Sequence, residues 1–317
     1  MFAILQRAKP KFDEVKVNQA SAMQVRLRLL SERSNFDEVK DESEKMKNES
    51  ENIRESWTDR TELLLGKDKM QRLRDAHVLV VGVGGVGAYA AEMLCRAGVG
   101  EMTLIDADTV NITNINRQLP ATHDTLGRPK VEVLAERFRD INPDIKLHAL
   151  PMYLTEELKI ENSNLKINRE NLHSVQDDTG EDVGNSPFSI FNFQFDYIVD
   201  AIDTISPKCA LITEALRRGI PIVSSMGAGA KSDITQIRFA DIWDTYHCGL
   251  AKAVRTRLKK SGIRKSLPVV FSTEQADRRA IITVEGEQNK KSTTGTISYM
   301  PAVFGCYLAE YVIRHLN

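Results

Sequence analysis

Asn114, Arg117 and Lys130 place an amide and two cations in quick succession, with Asp106 and Asp108 just before them and Asp203 far downstream. Two cations and an amide suit a triphosphate whose charge must be neutralised while its α-phosphorus is attacked. A carboxylate at a strand end suits ribose hydroxyls or a divalent ion. Ahead of this group stands Gly82-Val-Gly84-Gly85-Val-Gly87. Gly82 allows a tight turn out of a strand, Gly84 lets the backbone approach a phosphate, and Gly87 lets the next helix pack on a sheet. The start of that helix offers unpaired N–H groups and a positive dipole end to an anion. Taken singly, Arg117 and Lys130 read as solvated surface charges. Their place just beyond a strand end, where open α/β sheets bind ligands, favours a site.

The elements around these residues are short and regular. His77–Val81 is an apolar run, Ala88–Ala97 a small-residue helix pattern, and Met102–Ile105 a second apolar run ending in Asp106. Asp106 follows Gly87 by about 20 residues, the spacing of a nucleotide-binding βαβ unit. Val131, Leu134, Ala135 and Phe138 recur at helical spacing up to Ile141, and Asn142-Pro143 ends that helix. Lys146–Pro151 follows as a strand. Phe195–Asp203 reads as a buried strand ending in acid, with Asp200 and Asp203 competing for a role. Lys208–Arg218 is a helix and Ile220–Ser225 a strand; Gly227-Ala-Gly229 then admits substrate or simply turns the chain. The repeated β-α-β order predicts an α/β fold, a Rossmann-like, doubly wound, mostly parallel sheet with its site at the strand C-terminal ends.

Composition sets limits. The chain has 317 residues and a net charge of −1, so any nucleic-acid surface must be local. One such run exists: Ala251–Lys265 holds Lys252, Arg255, Arg257, Lys259, Lys260, Arg264 and Lys265 without an acid. It reads either as a solvated helix face or as a grip on an RNA backbone, and its density favours RNA. Cys95, Cys209, Cys248 and Cys306 form no CxxC pair, which argues against a structural zinc held by thiolates and suits a reducing cytosol. Met1–Leu5 is too short for a signal peptide. Residues 1–56 are a charged extension, helical or disordered, in which Phe12–Lys16 and Phe36–Lys40 repeat the same five residues. Residues 57–317 form the main domain, interrupted by a polar surface insertion at 161–194. The closing helix from Pro301 carries Glu310 and Arg314, and it is too short and interrupted for a membrane span.

In order, GxGGxG, Asp106-x-Asp108, Asn114-x-x-Arg117-Gln118 and Gly127-x-Pro-Lys130 resemble the ubiquitin-activating-enzyme-like superfamily, which adenylates carboxylates with MgATP. Within it the chain is most similar to the tRNA threonylcarbamoyladenosine dehydratases. The residues carrying this are Trp57–Gly66, Tyr197–Thr204, Pro207-Lys208, Gly227–Gly229, Thr235–Ile237 and Phe271–Glu274. The resemblance covers about residues 57–158 and 195–317 and leaves out the extension and the insertion.

It implies an ATP-dependent cyclisation, through a carboxyl-adenylate, of threonylcarbamoyladenosine in tRNA. Arg60, Arg117 and Lys130 would meet the phosphates, with Arg60 reaching from the neighbouring subunit of a homodimer. Asn114 would orient a phosphate, Asp106 would hold the ribose, and Asp203 rather than Asp200 would hold Mg²⁺. A monovalent cation is a further candidate. Some relatives carry a cysteine just before Phe271; here Val269 and Val270 stand in its place, which removes a sulfur-relay role at that spot. The expected location is the cytoplasm, with a peripheral place on the inner membrane left open. Three rivals remain: an adenylyltransferase for a ubiquitin-like sulfur carrier, disfavoured by the missing CxxC pairs; an NAD(P)-dependent dehydrogenase, disfavoured by Arg117 and Lys130; and a silent scaffold, disfavoured by the intact site.

Overall fold

The computed structural model describes residues 56–154, 160–161, 194–283 and 292–316. The chain divides into two units, Met1–Asp59 and Arg60–Asn317. The charged extension, with its repeated pentapeptide, and nearly all of the expected insertion lie outside the described residues.

The segment that leads into the sheet forms two helices, α1 (Asp59–Leu65) and α2 (Lys67–Asp75). Gly66 separates them at φ +82°, a left-handed backbone that a side chain resists. Helix α2 buries Met70 and Leu73.

Then come β1 (His77–Val81), α3 (Gly87–Ala97), β2 (Glu101–Ile105), α4 (Lys130–Ile141) and β3 (Lys146–Leu150). Two short strands, β4 (Tyr153–Leu154) and β5 (Ile160–Glu161), pair antiparallel beside them. Next are β6 (Tyr197–Asp200), α5 (Ile205–Arg218), β7 (Ile222–Ser225), β8 (Ile237–Asp241), α6 (Gly249–Lys260) and β9 (Pro268–Ser272). An antiparallel pair, β10 (Ile281–Thr283) and β11 (Ser292–Thr294), precedes α7 (Tyr299–His315).

Seven strands make one sheet in the order β3-β2-β1-β6-β7-β9-β8. All neighbours pair parallel except β8, which runs antiparallel on the edge beside β9. The order reverses between β1 and β6, so the carboxyl ends of these strands form the crevice where such sheets take ligands. Alternation along the strands feeds two cores. Val78, Val80, Met102, Leu104, Val199 and Val270 join α3, α4 and α7 on one face. Leu79, Val81, Ile198, Ile222, Val269 and Phe271 join α5 and α6 on the other.

Helices α3 and α7 approach very closely. A Cβ on Gly305 would stand 2.5 Å from the Val86 carbonyl and 2.7 Å from Tyr89 Cβ. At the start of α7, Pro301 lies 3.0 Å from where Gly85 would carry a Cβ. The C-terminal helix therefore backs the glycine turn directly.

Candidate active site

The site begins where β1 ends. Gly82 takes φ +83°, and a Cβ there would meet the Ala201 carbonyl at 2.9 Å. Gly87 opens α3 against the turn itself: its Cβ would fall 1.8 Å from the Gly82 carbonyl oxygen. Both positions therefore exclude any side chain, and the turn stays tight enough to aim backbone N–H groups at an anion.

Asp106, at the end of β2, ties this turn to the next loop. Its Oδ2 accepts from the Val83 N–H at 2.7 Å and its Oδ1 from the Asp108 N–H at 2.8 Å. Burial pushes its carboxyl up, against the opposing pull of Lys130 and the two backbone donors. Each oxygen keeps a second lone pair for a ligand.

Asp108 and Lys130 stand 22 residues apart, yet Lys130 Nζ donates to Asp108 Oδ2 at 2.7 Å. Backbone contacts bring them together: Thr109 bridges Pro129, the Val110 N–H donates to the Arg128 carbonyl, and the Gly127 N–H to the Val110 carbonyl. The Gly127–Lys130 motif thus folds back on the aspartates and starts α4 at Lys130. The lysine is buried while Asp108 is exposed, so the pair presents a held cation at the crevice.

Between them, Asn111–Asn114 form a capping box in which Asn114 Oδ1 accepts from the Asn111 N–H at 3.0 Å. This leaves the Asn114 amide nitrogen for a ligand. One arm of Arg117 donates to the Thr113 carbonyl at 2.7 Å and to Asn116 Oδ1 at 3.0 Å. Asn116 in turn donates to the Thr296 carbonyl at 3.1 Å, joining this turn to the segment before α7. Sequence reasoning gave Gln118 no role. Its side-chain amide faces Gly84, and its Oε1 is buried with no partner among the described residues. An orphaned amide oxygen beside the glycine turn marks Gln118 as a further candidate contact for a ligand; the signal was its place next to Arg117.

Asp200 and Asp203 separate clearly. Asp200 is fully buried and accepts from Ser224 Oγ at 2.6 Å, the Ile202 N–H at 3.1 Å and, as an ion pair at 2.9 Å, Lys208 Nζ. Lys208 also donates to the Ile202 carbonyl. Asp203, beyond the end of β6, is exposed, and among the described residues its carboxylate makes no hydrogen bond or ion pair. Asp200 holds the loop; Asp203 is presented by it. Arg60 is exposed on α1 and is not joined to the other candidates by any hydrogen bond among the described residues.

The Phe271–Glu274 motif shapes the next strand end. Glu274 accepts from the Ser232 and Asp233 N–H groups, each at 2.9 Å to Oε2, and buried Lys231 donates to the Ser272 carbonyl at 2.8 Å. Val269 and Val270 are buried sheet residues of β9.

The basic run splits. Helix α6 buries Ala251, Val254 and Leu258 and turns the opposite face outward. Lys252, Arg257 and Lys260 line a groove of about 610 Å³ whose other wall is Ile205, two residues past Asp203. Arg255 turns inward, donating to the Ile242 carbonyl at 3.2 Å and to the Thr245 hydroxyl. Lys265 donates to the Leu216 carbonyl at 2.7 Å, and Lys259 stands 5.7 Å over the Trp243 ring. Arg264 is exposed beyond the helix.

Comparison with known proteins decides the family. The model of the ThiF family matches residues 58–317. The chain belongs to the ThiF family. Among related proteins, the tRNA threonylcarbamoyladenosine dehydratase of Bacillus subtilis is 39% identical over 264 residues, 81% of this chain and 93% of that one. The crystal structure of the Escherichia coli tRNA N6-threonylcarbamoyladenosine dehydratase in complex with ATP matches with a TM-score of 0.65 and 34% identity, over 83% of this chain and 96% of that one. The sulfur carrier protein ThiS adenylyltransferase of Escherichia coli is 44% identical, but over only 90 residues, 28% of this chain and 36% of that one. The mostly parallel α/β sheet expected from the sequence is the ThiF-family fold found here.

Proposed function

We propose that this chain is an ATP-dependent tRNA threonylcarbamoyladenosine dehydratase. One observation carries the reading: the chain matches a named dehydratase over 93% of that protein's length, whereas its match to a sulfur-carrier adenylyltransferase spans 90 residues. The geometry supports it, with a glycine turn and a cluster of cations and carboxylates at the crevice of the sheet.

The substrate's free carboxylate is a poor electrophile. ATP converts it to an acyl-adenylate, releasing pyrophosphate; a neighbouring atom of the threonylcarbamoyl group closes a ring and expels AMP, for a net loss of water. The work of the protein is charge neutralisation and positioning. Lys130 exchanges Asp108 for a phosphate oxygen, Arg117 and Arg60 neutralise the others, and the Asn114 amide orients a phosphate. Asp106 accepts from the ribose. The exposed carboxylate of Asp203 is a hard oxygen donor that fits Mg²⁺, which supplies charge neutralisation when bound. No protein nucleophile is required, and burial pushes the Cys95 and Cys209 thiols up to about 12 and about 11, far from reactive thiolates.

Leu63 and Leu64, 89% and 82% exposed on α1 beside Arg60, suit a subunit interface that delivers Arg60 to a neighbour's site. The α6 groove beside the Asp203 loop suits a tRNA backbone on its way to the crevice. No helix among the described residues is long and apolar enough to cross a membrane; a cytoplasmic location belongs to this reading.

The deciding experiment is mass spectrometry of nucleosides from threonylcarbamoyladenosine-containing tRNA incubated with the protein and MgATP. Loss of one water from that nucleoside, with AMP formed, is expected. An unchanged nucleoside together with pyrophosphate exchange driven by a small ubiquitin-like protein would overturn the reading in favour of the sulfur-carrier rival.

A further inference from the structure

Near the N-terminal edge of the sheet, away from the glycine turn, three potential metal ligands converge from three adjacent strands. His77 starts β1, Glu101 starts β2 and His148 lies within β3. Glu101 Oε1 is 2.9 Å from His148 Nε2 and 3.6 Å from His77 Nδ1. One ligand atom from each residue lies within 4.8 Å of the others. We propose that His77, Glu101 and His148 form a zinc site that ties the first three strands together, separate from the adenylation crevice.

The two separations from Glu101 lie near those that zinc requires, with all three ligand atoms within 4.8 Å of one another. Nitrogen and oxygen ligands at ~2.0–2.1 Å from a tetrahedral zinc stand about 3.3 Å apart, and the observed separations of 2.9 and 3.6 Å bracket that value. Two imidazoles and one carboxylate form the borderline donor set that zinc takes, with a fourth position left for water or a small ligand. The surroundings already orient the ligands. His77 Nε2 is 2.8 Å from Thr103 Oγ1, and the Gln194 backbone also hydrogen-bonds the His77 side chain, so the ring is held in place. Phe195 packs edge-on against the His77 ring at 4.8 Å and the Asp196 carboxylate accepts from the His77 N–H, so this ligand is held rigidly.

Glu101 and His148 alone make an ordinary surface ion pair, and the His77 ring then packs beside it without a metal. Placement on three strands in register is what distinguishes the site: His77 pairs with Glu101, and Thr103 with His148. The four scattered cysteines bear only on thiolate sites and leave this set untouched. No sequence spacing announces it, because the residues meet only through the sheet.

The test uses the full chain, stripped with a chelator, titrated with ZnCl₂ by isothermal calorimetry and with CoCl₂ by visible absorption. One zinc per chain and the intense visible bands of tetrahedral cobalt are expected. In Glu101→Gln and His148→Gln, both at partly exposed positions, affinity should fall at least about tenfold and the cobalt bands should disappear. Zinc should raise Tm in the parent chain and not in the variants. ATP turnover should be the same in parent and variants, which separates this site from the proposed reaction. No stoichiometric binding, or binding retained in both variants, would overturn the proposal; the cobalt spectrum of the parent alone decides if a variant does not fold.

Discussion

Lys208 Nζ lies 2.9 Å from Asp200 Oδ2, and both side chains are wholly buried beneath the loop that presents Asp203. A buried pair contributes little net stability, but breaking it strands a charge in a low-dielectric interior. Lys208→Ala is therefore expected to destabilise by about 3–5 kcal/mol in chemical denaturation. Asp203→Ala, three residues past Asp200 and exposed, should change stability by less than about 0.5 kcal/mol while lowering ATP turnover. Equal stability losses in the two variants would refute the division of labour between the two aspartates.

Lys130→Ala should lower ATP-dependent turnover by about 10²–10³, the cost typical of losing one preorganised charge-stabilising donor. Asp108→Asn should lower it less, because the cation remains. Steady-state AMP release measures both; an unchanged rate in Lys130→Ala rejects the phosphate role.

Replacing Lys252, Lys260 and Arg264 together with Ala should weaken tRNA binding and flatten its dependence on log salt by roughly one unit for each phosphate left without its cation. Arg255→Ala should instead lower Tm, since its guanidinium is engaged with the Ile242 carbonyl and the Thr245 hydroxyl. Filter binding across a salt series, with melts alongside, separates the two outcomes.

Glu92 connects α3 to α4 through Arg137 at 2.6 Å and holds Arg96 at 2.8 Å. Burial alone would raise its carboxyl; the hydrogen bond from Arg137, then that from Arg96, outweigh this and hold it below its ordinary value of 4.5. A depressed carboxylate contributes stability that is present above its unfolded value and is lost as pH falls through the folded one. The stability gap between the parent chain and Glu92→Gln should therefore be widest above pH 4.5 and shrink below it. A gap that stays constant through the acid range would contradict the assignment.

Gly305→Ala should push α3 from α7, at a cost of about 1–3 kcal/mol for overpacking. Thermal melts measure it, and nucleotide affinity should fall with it, because α7 supports the turn from behind.

The early half of the sheet was legible because each element carries its own signal. Val78–Val81 and Met102–Ile105 are apolar runs bounded by turns, and Ala88–Ala97 has the small residues that a close helix requires. The break at Gly66 was in principle visible, since a lone glycine within a helical pattern is a stop signal. The edge strand Ile237–Asp241 and the pair Ile281–Thr283 with Ser292–Thr294 were not anticipated. They are short, and their partners lie far away or across a gap in the pattern. In the site, residue types were readable while their partners were not. Nothing local told that Lys130 would meet Asp108, because the Thr109–Pro129 bridge that joins them is a product of the folded loop. For the same reason Asp200 could be told from Asp203 only by the family's pattern, until Ser224 and Lys208 were seen to occupy it.

The glycine turn is written near residue 82, but its backing arrives from Pro301 and Gly305. During synthesis, then, the turn emerges from the ribosome more than two hundred residues before the helix that supports it. Until α7 has been made, a growing chain carries the glycine turn without the packing that backs it.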